Sequence, residues 1–260
     1  MGRLWSPSSA VLSVKIPLTW RYLLAFYCMG ALMGMSHELA HHIAGVAICG
    51  DWGYKTFNHF ELAQGCTTSH PGSYWLATLA GPLLFNYVPL WIGFVLMRKR
   101  DAGTRLFGVS LVFSTVPALR LMSVMKWGDE TVLVNHFFAG SSGAMWTMKI
   151  VALALIVPPV YLAWRRISNR YRPLVFTLFF IGVPLTVFYV VGIVLEGLII
   201  KRHVLAETLW GVPYMVLLAE VVASVGYALL KSHLWIPADP RRPDADTRTG
   251  VATGSTAMSS

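Results

Sequence analysis

The sequence predicts an all-α, polytopic helical membrane protein with about six transmembrane helices, and three observations support this fold class. Of its 260 residues, 55% are hydrophobic and only 13% are charged, and the mean hydropathy is +0.58. A soluble core of this size cannot bury so much apolar surface. The apolar residues also form long continuous runs, whereas membrane strands show alternating segments of about ten residues. Basic residues cluster between these runs, as in helical membrane proteins.

Six apolar windows are each long enough to cross roughly 30 Å of hydrocarbon as a helix of about twenty residues. They cover residues 22–48, 73–97, 106–125, 144–164, 174–200 and 209–230. Together they predict a single helical membrane domain over residues 22–235, with the metal site described below in residues 22–130. Residues 1–21 then form an N-terminal segment. Residues 236–260 form a disordered tail, because they lack the apolar residues that would offset the entropy of folding.

The net charge of +9 predicts an orientation in the lipid bilayer rather than a nucleic-acid partner. The basic residues do not line one polar face; they gather at alternate loops. The largest groups follow the second and fourth windows: Arg98, Lys99, Arg100, Arg105, Arg165, Arg166, Arg170 and Arg172. The positive-inside rule assigns these loops to the cytoplasm. Both termini are therefore predicted to be cytoplasmic in a multi-pass integral membrane protein.

The motif His37-Glu38-Leu39-Ala40-His41 lies within the first window. Two histidines four positions apart share one helix face, separated by about 6 Å along the axis, so both imidazoles can bind one ion. Glu38 can reach a water at that ion without becoming a ligand. On a soluble helix such a motif is often a chance match. In a membrane span, each ionisable residue costs roughly 2.5–3.5 kcal/mol, which favours a Zn²⁺ site with ligands His37 and His41 and catalytic residue Glu38.

A catalytic zinc site needs a third protein ligand and an open position for water. The segment Gly128-Asp129-Glu130 follows the third window, and Asp129 is the predicted ligand with Glu130 as the alternative. The first and third windows both run outward, so these carboxylates are expected on the same side of the bilayer as His41. An ordinary interfacial acidic pair would have the same sequence. Three isolated histidines remain further candidates: His59, His70 and His136.

The chain resembles the site-2 protease family of intramembrane zinc metalloproteases over about residues 22–130. The resemblance rests on the HExxH motif and on Ala80-Gly81-Pro82-Leu83-Leu84-Phe85-Asn86, which is similar to that family's Gly-Pro-x-x-Asn element but has one more residue before the asparagine. It implies cleavage of a membrane protein or peptide substrate, Glu38 as the general base, an acidic third ligand and Asn86 close to the substrate or its oxyanion. From the residues alone, Pro82 predicts a helix kink and Asn86 a buried amide.

Two other functions are compatible with the histidine cluster. His37, His41 and His42 form an HxxxHH pattern like a histidine box of a membrane di-iron oxidoreductase, although such an enzyme needs more histidine groups than the chain offers. A non-catalytic metal-binding transporter or scaffold would also need intramembrane histidines. The first alternative predicts two irons, and the second predicts that Glu38 is dispensable for any hydrolysis.

Three further expectations concern the loops and the remaining polar residues. The segment 51–70 is polar and aromatic and is expected to form a small hairpin or re-entrant element beside the site. Cys49 and Cys66 share this outer region, where a disulfide and two free thiols are both possible. The intramembrane residues Arg120, Glu196 and Glu220 are expected to neutralise one another, because unpaired charges in lipid are costly.

Overall fold

The computed structural model describes residues 12–121, 125 and 128–238. The predicted disordered tail lies outside the described residues from position 239 onward, as do the first eleven residues of the N-terminal segment. The described chain is mainly helical, with two short β-hairpins. This confirms the predicted all-α membrane class in its coarse form.

The helices are numbered here in chain order. They are α1 (Trp20–Cys49), α2 (Cys66–Ser69), α3 (Trp75–Leu96), α4 (Ala102–Ser114), α5 (Pro117–Arg120), α6 (Asp129–Phe138), α7 (Ser142–Arg166), α8 (Arg172–Arg202) and α9 (Tyr214–Trp235). Of those in the described chain, α1, α3, α7, α8 and α9 are long and apolar enough to cross a membrane. Strands β1 (Tyr54–Lys55) and β2 (Phe60–Glu61) pair antiparallel, as do β3 (Thr208–Leu209) and β4 (Val212–Pro213).

The third predicted span does not form one membrane-crossing helix, so the predicted number of six such helices is not reached in the described chain. Helix α4 ends at Ser114, and just beyond this end the hydroxyl of Thr115 donates to the carbonyl oxygen of Val112. Pro117 lacks an N–H and disfavours helical geometry at the residue before it. Val116 adopts a left-handed conformation, with φ of +53°, which interrupts the helix before Pro117. The chain then forms the short α5.

Helix α1 is the central element of the bundle. It begins after Thr19, whose hydroxyl accepts a hydrogen bond from the N–H of Tyr22, and it ends at Gly50, with φ of +74°. It packs against α3, α4, α8 and α9. Its N-terminal half contributes Tyr22 and Phe26 to the main apolar core, where both rings contact Phe179 of α8. The HExxH motif is therefore carried by a helix that packs against four others.

The two ends of the described chain meet at the same end of the helical bundle. Ile16 exchanges two hydrogen bonds with the side chain of Asn169, just after α7. The N–H of Ala238 donates to the carbonyl oxygen of Lys15 over 3.2 Å. The two ends of the described chain therefore lie close together at one end of the bundle. Which side of the membrane this is stays a prediction.

The opposite end of α1 is covered by the two hairpins. Cys49 and Cys66 form a disulfide that closes the segment containing β1 and β2, which resolves the alternative left open by the sequence. The N–H of Lys55 in β1 donates to the carbonyl oxygen of Gly211, between β3 and β4. Gly211 has φ of +74°, and a side chain there would overlap the backbone of Gly53. The expected hairpin in residues 51–70 is present.

Buried charges in the bundle pair differently from the expectation. The ammonium of Lys55 donates to Glu220 of α9 over 2.6 Å, and a carboxylate oxygen of Glu196 accepts from the N–H of Phe57 over 3.1 Å. Both carboxylates, Glu196 on α8 and Glu220 on α9, therefore bond to residues of the first hairpin. Arg120 instead contacts Asp129, so the predicted neutralisation among Arg120, Glu196 and Glu220 is wrong.

Candidate metal centre

His37 and His41 lie one turn apart on α1 and are both buried. Their Nε2 atoms are 3.0 Å apart. Nδ1 of His41 donates a hydrogen bond to the carbonyl oxygen of Ala77 over 2.7 Å, since a carbonyl can only accept. The proton therefore resides on Nδ1, and Nε2 presents a lone pair. This is the tautomer that a metal ion requires at Nε2.

Asp129, the first residue of α6, completes the cluster. Its Oδ2 lies 3.2 Å from Nε2 of His37, and its Oδ1 lies 3.8 Å from Nε2 of His41. One ligand atom from each of these three residues lies within 4.8 Å of the other two, so the group could hold a metal ion. Glu130, the alternative, accepts a hydrogen bond from Tyr87 instead. Asp129 is thus the acidic residue that the fold brings to the histidines.

The three side chains fit the geometry of a tetrahedral metal site. Bonds of about 2.0–2.1 Å to a central ion place neighbouring tetrahedral ligands about 3.3 Å apart. Nε2 of His37 lies 3.0 Å from Nε2 of His41 and 3.2 Å from Oδ2 of Asp129, both close to this spacing. The 3.8 Å distance to Nε2 of His41 is measured from the other carboxylate oxygen, Oδ1, so the carboxylate has to shift before one oxygen lies at this spacing from both histidines. Two imidazoles and one carboxylate also leave a fourth position for water, as in catalytic zinc sites.

Glu38 is beside this group but outside it. Its Oε1 lies 4.0 Å from Nε2 of His37, and its side chain is 14% exposed. One residue along a helix rotates the side chain by about 100°, so Glu38 cannot share the histidines' direction. The carboxylate is near enough to act on a molecule bound at the centre without occupying a ligand position.

Gly81 makes the close approach of α1 and α3 possible. A side chain there would overlap Nε2 and Cε1 of the His41 ring and the carbonyl oxygen of His37. The next residue, Pro82, begins a π-helical stretch over Pro82–Tyr87, and the predicted kink at Pro82 stays a prediction. Gly81 therefore has a structural reason at the candidate metal centre.

Asn86 lies in the same π-helical stretch and is buried. Its Nδ2 donates to the carbonyl oxygen of Thr115 over 2.8 Å, at the break after α4. Its Oδ1 is buried and has no hydrogen-bond partner among the described residues. The predicted buried amide is confirmed, and a role beside substrate or oxyanion stays a prediction.

The structure also brings in Phe60 and Arg120, which the sequence did not identify as parts of the site. The Phe60 ring of β2 stacks on His41, with centroids 4.3 Å apart and planes at 10°. Nη1 of Arg120 donates to Oδ2 of Asp129 over 3.0 Å. Burial raises the pKa of the Asp129 carboxyl, but its hydrogen bond with His37 and the charge of Arg120 outweigh burial, so this pKa lies well below its usual range.

Other candidate histidines have different partners. Nε2 of His42 donates to the carbonyl oxygen of Trp210 over 2.9 Å, so its ring is held by the second hairpin. Nδ1 of His136 bonds to the hydroxyl of Tyr74, and exposed His59 pairs with Glu61. None of these residues belongs to the three-residue cluster found in the described chain.

Comparisons with known proteins return no match: no protein-family model, no curated protein and no solved structure is significantly similar to this chain. The resemblance to the site-2 protease family therefore stays a prediction from its two motifs.

Proposed function

We propose that this protein is an intramembrane zinc metalloprotease that hydrolyses peptide bonds of membrane-embedded or membrane-proximal polypeptides. The proposal is carried by one observation: ligand atoms of His37 and His41, on the membrane-length helix α1, and of Asp129, at the start of α6, lie within 4.8 Å of one another. Two histidines at HExxH spacing with one carboxylate are typical ligands of a hydrolytic zinc site. Glu38 lies beside them, where such sites place their base.

When bound, zinc would supply Lewis acidity that makes a water nucleophilic near neutral pH and stabilises charge on the attacked carbonyl oxygen. Glu38 takes the proton from the water as it attacks the peptide carbon. It then passes that proton to the leaving amine nitrogen, so the carboxylate is regenerated. The hydrogen bond from Nδ1 of His41 to Ala77 fixes the orientation of the ring and the tautomer whose Nε2 lone pair faces the centre.

The position of the motif on α1 bears on both the substrate class and the source of the water. The substrate class follows from the location of the motif on α1, whose long apolar surface is suited to a bilayer. Water can be supplied from the end of α1 where the disulfide and both hairpins lie, because that region carries exposed polar residues such as Asp51 and Glu61. The ring of Phe60 covers His41 on this side.

The di-iron alternative receives less support from the side chains. The HxxxHH pattern needs His42 as a ligand, and the fold holds that ring against Trp210. A non-catalytic metal-binding protein would use the same ligands as the protease. The two functions differ in whether Glu38 is needed for hydrolysis.

The proposal is tested by metal analysis and peptide cleavage on the full chain purified in detergent. Mass spectrometry of wild type should give about one zinc per chain. His37→Ala, His41→Ala and Asp129→Ala should each lose most of it, whereas Glu38→Gln should retain it. Reconstituted with a panel of transmembrane peptides, wild type should release fragments, and Glu38→Gln should slow release by about 10²–10⁴-fold.

Three results would contradict the protease. Two irons per chain would favour the oxidoreductase. Cleavage that is equally fast in Glu38→Gln would exclude the assigned mechanism. Folded wild type that binds neither zinc nor iron after metal loading would remove both enzyme functions.

A further inference from the structure

We infer that Arg120, supported by Glu130 and Tyr87, is the positioning residue that orients Asp129 as a metal ligand. The inference rests on the proposed metal site and adds residues to which neither the HExxH motif nor the Gly-Pro element assigns a role. It concerns a chain of polar contacts that starts on α3 and ends at the ligand carboxylate.

The contacts run through four side chains. The hydroxyl of Tyr87 donates to Oε1 of Glu130 over 2.8 Å. Nη1 of Arg120 lies 3.6 Å from that same Oε1 and donates to Oδ2 of Asp129 over 3.0 Å. Arg120 therefore bridges two consecutive carboxylates on α6, while Tyr87 fixes the second of them to α3.

The local backbone explains why Asp129 needs this support. Asp129 is the first residue of α6, and Gly128 before it has φ of +93°. The two histidines are held within the long central helix, and His41 has a hydrogen bond behind it. Asp129 has no helical turn before it, so its carboxylate must be oriented by side chains. Partners of this kind behind metal ligands commonly change metal affinity 10–100-fold.

A competing role for Arg120 predicts the opposite effect. The three carboxylates of Glu38, Asp129 and Glu130 and the guanidinium leave a formal excess of two negative charges, which one divalent cation neutralises. If Arg120 were only a counter-charge for Asp129, it would compete with the ion, and removing it would strengthen metal binding. If Arg120 positions Asp129, removing it weakens binding. The sign of the change separates the two roles.

The test measures zinc affinity of the detergent-purified full chain by competition with a chelator of known affinity. Arg120→Gln should weaken binding by about 10–100-fold. Arg120→Lys keeps the charge but loses the planar fork, so it should recover part of this loss. Glu130→Gln and Tyr87→Phe should weaken binding in smaller steps. Arg165→Gln removes an exposed arginine from α7 and is the matched control, with affinity equal to wild type.

A second readout reports ligand geometry rather than affinity. The absorption spectrum of the cobalt-loaded protein should change in Arg120→Gln and remain unchanged in Arg165→Gln, because the carboxylate of Asp129 is reoriented only in the former. If Arg120→Gln does not fold, Arg120→Lys and Glu130→Gln are compared with wild type in the same two measurements, zinc affinity and the cobalt spectrum.

The outcomes keep this inference separate from the proposed function. If wild type binds zinc and cleaves peptides but Arg120→Gln and Glu130→Gln bind zinc as tightly or more tightly, the positioning role is wrong and the protease stands. Zinc binding that weakens in the predicted order supports the inference even without a known substrate. A wild-type protein that binds no zinc overturns both.

Discussion

Nδ1 of His41 donates a hydrogen bond to the carbonyl oxygen of Ala77 across 2.7 Å, which joins α1 to α3 at the candidate metal centre. The two helices can approach this closely because residue 81, one turn after Ala77, is a glycine. Helix packing and metal geometry therefore depend on the same contact.

Replacing Gly81 by alanine should damage both stability and metal binding. The added methyl group would overlap the His41 ring, and overpacking of this kind costs about 1–3 kcal/mol. We expect a lower melting temperature and zinc binding that is weakened by at least several-fold, measured by thermal denaturation and chelator competition. Gly34→Ala is the matched control, since a side chain at this exposed position of α1 meets nothing within 4 Å. Equal zinc affinity in the two variants would contradict the assigned packing.

The buried ion pair between Lys55 and Glu220 should anchor the first hairpin to α9. The Lys55 side chain is fully buried, so Glu220→Gln would leave an unpaired ammonium in an apolar environment. Removing one partner of a buried pair costs about 3 kcal/mol or more. We expect a clear drop in melting temperature, which the double variant Lys55→Met, Glu220→Leu should largely reverse. Glu61→Gln, at an exposed residue, is the control, and a Glu220→Gln melting curve matching wild type would exclude the anchor.

The disulfide between Cys49 and Cys66 can be checked by alkylation and intact-mass measurement. Under denaturing conditions without reductant, only Cys28 should react, because it is the remaining free thiol. After reduction, all three cysteines should be modified. Closing a loop of this length stabilises a fold by about 3 kcal/mol, so Cys66→Ser should also melt earlier. Alkylation of three thiols without reductant would show that the bond is absent.

The start of α4 should have a pH-dependent stability. The N–H of Thr104 donates to the Asp101 carboxylate over 2.6 Å, and this hydrogen bond holds the pKa of Asp101 below its usual value of 3.8. Because the pKa of Asp101 is lower in the folded state, its ionised carboxylate contributes stability that is fully present above pH 3.8. This contribution is lost as the pH falls through the pKa of Asp101 in the folded protein. Asp101→Ala should therefore lower the melting temperature at pH 7, and the difference should narrow below about pH 4. A difference that stays constant from pH 7 to 3 would contradict this assignment.

The third predicted span is a case in which a hydropathy window alone does not predict a membrane-crossing helix correctly. Residues 106–125 have the composition of a spanning helix, and that expectation fails because of local chemistry at Thr115, Val116 and Pro117. Proline was the visible signal, but prolines also lie within the helical spans α7 and α8. Near Pro117 the helix ends, and the amide of Asn86 satisfies the carbonyl oxygen of Thr115 at that end, so the presence of a proline does not by itself tell whether a helix continues.

Hydropathy windows were enough to predict five membrane-length helices. Local spacing was enough to predict the pair His37 and His41 with Glu38 between them, because residues four apart on a helix share a face whatever surrounds it. The choice of Asp129 over Glu130 required the tertiary structure. Consecutive side chains on a helix point about 100° apart, and only the packing of α6 against α3 selects the one that faces the histidines. The same holds for Arg120, Phe60 and Lys55, whose partners are distant in sequence and become neighbours only when the helices and hairpins pack.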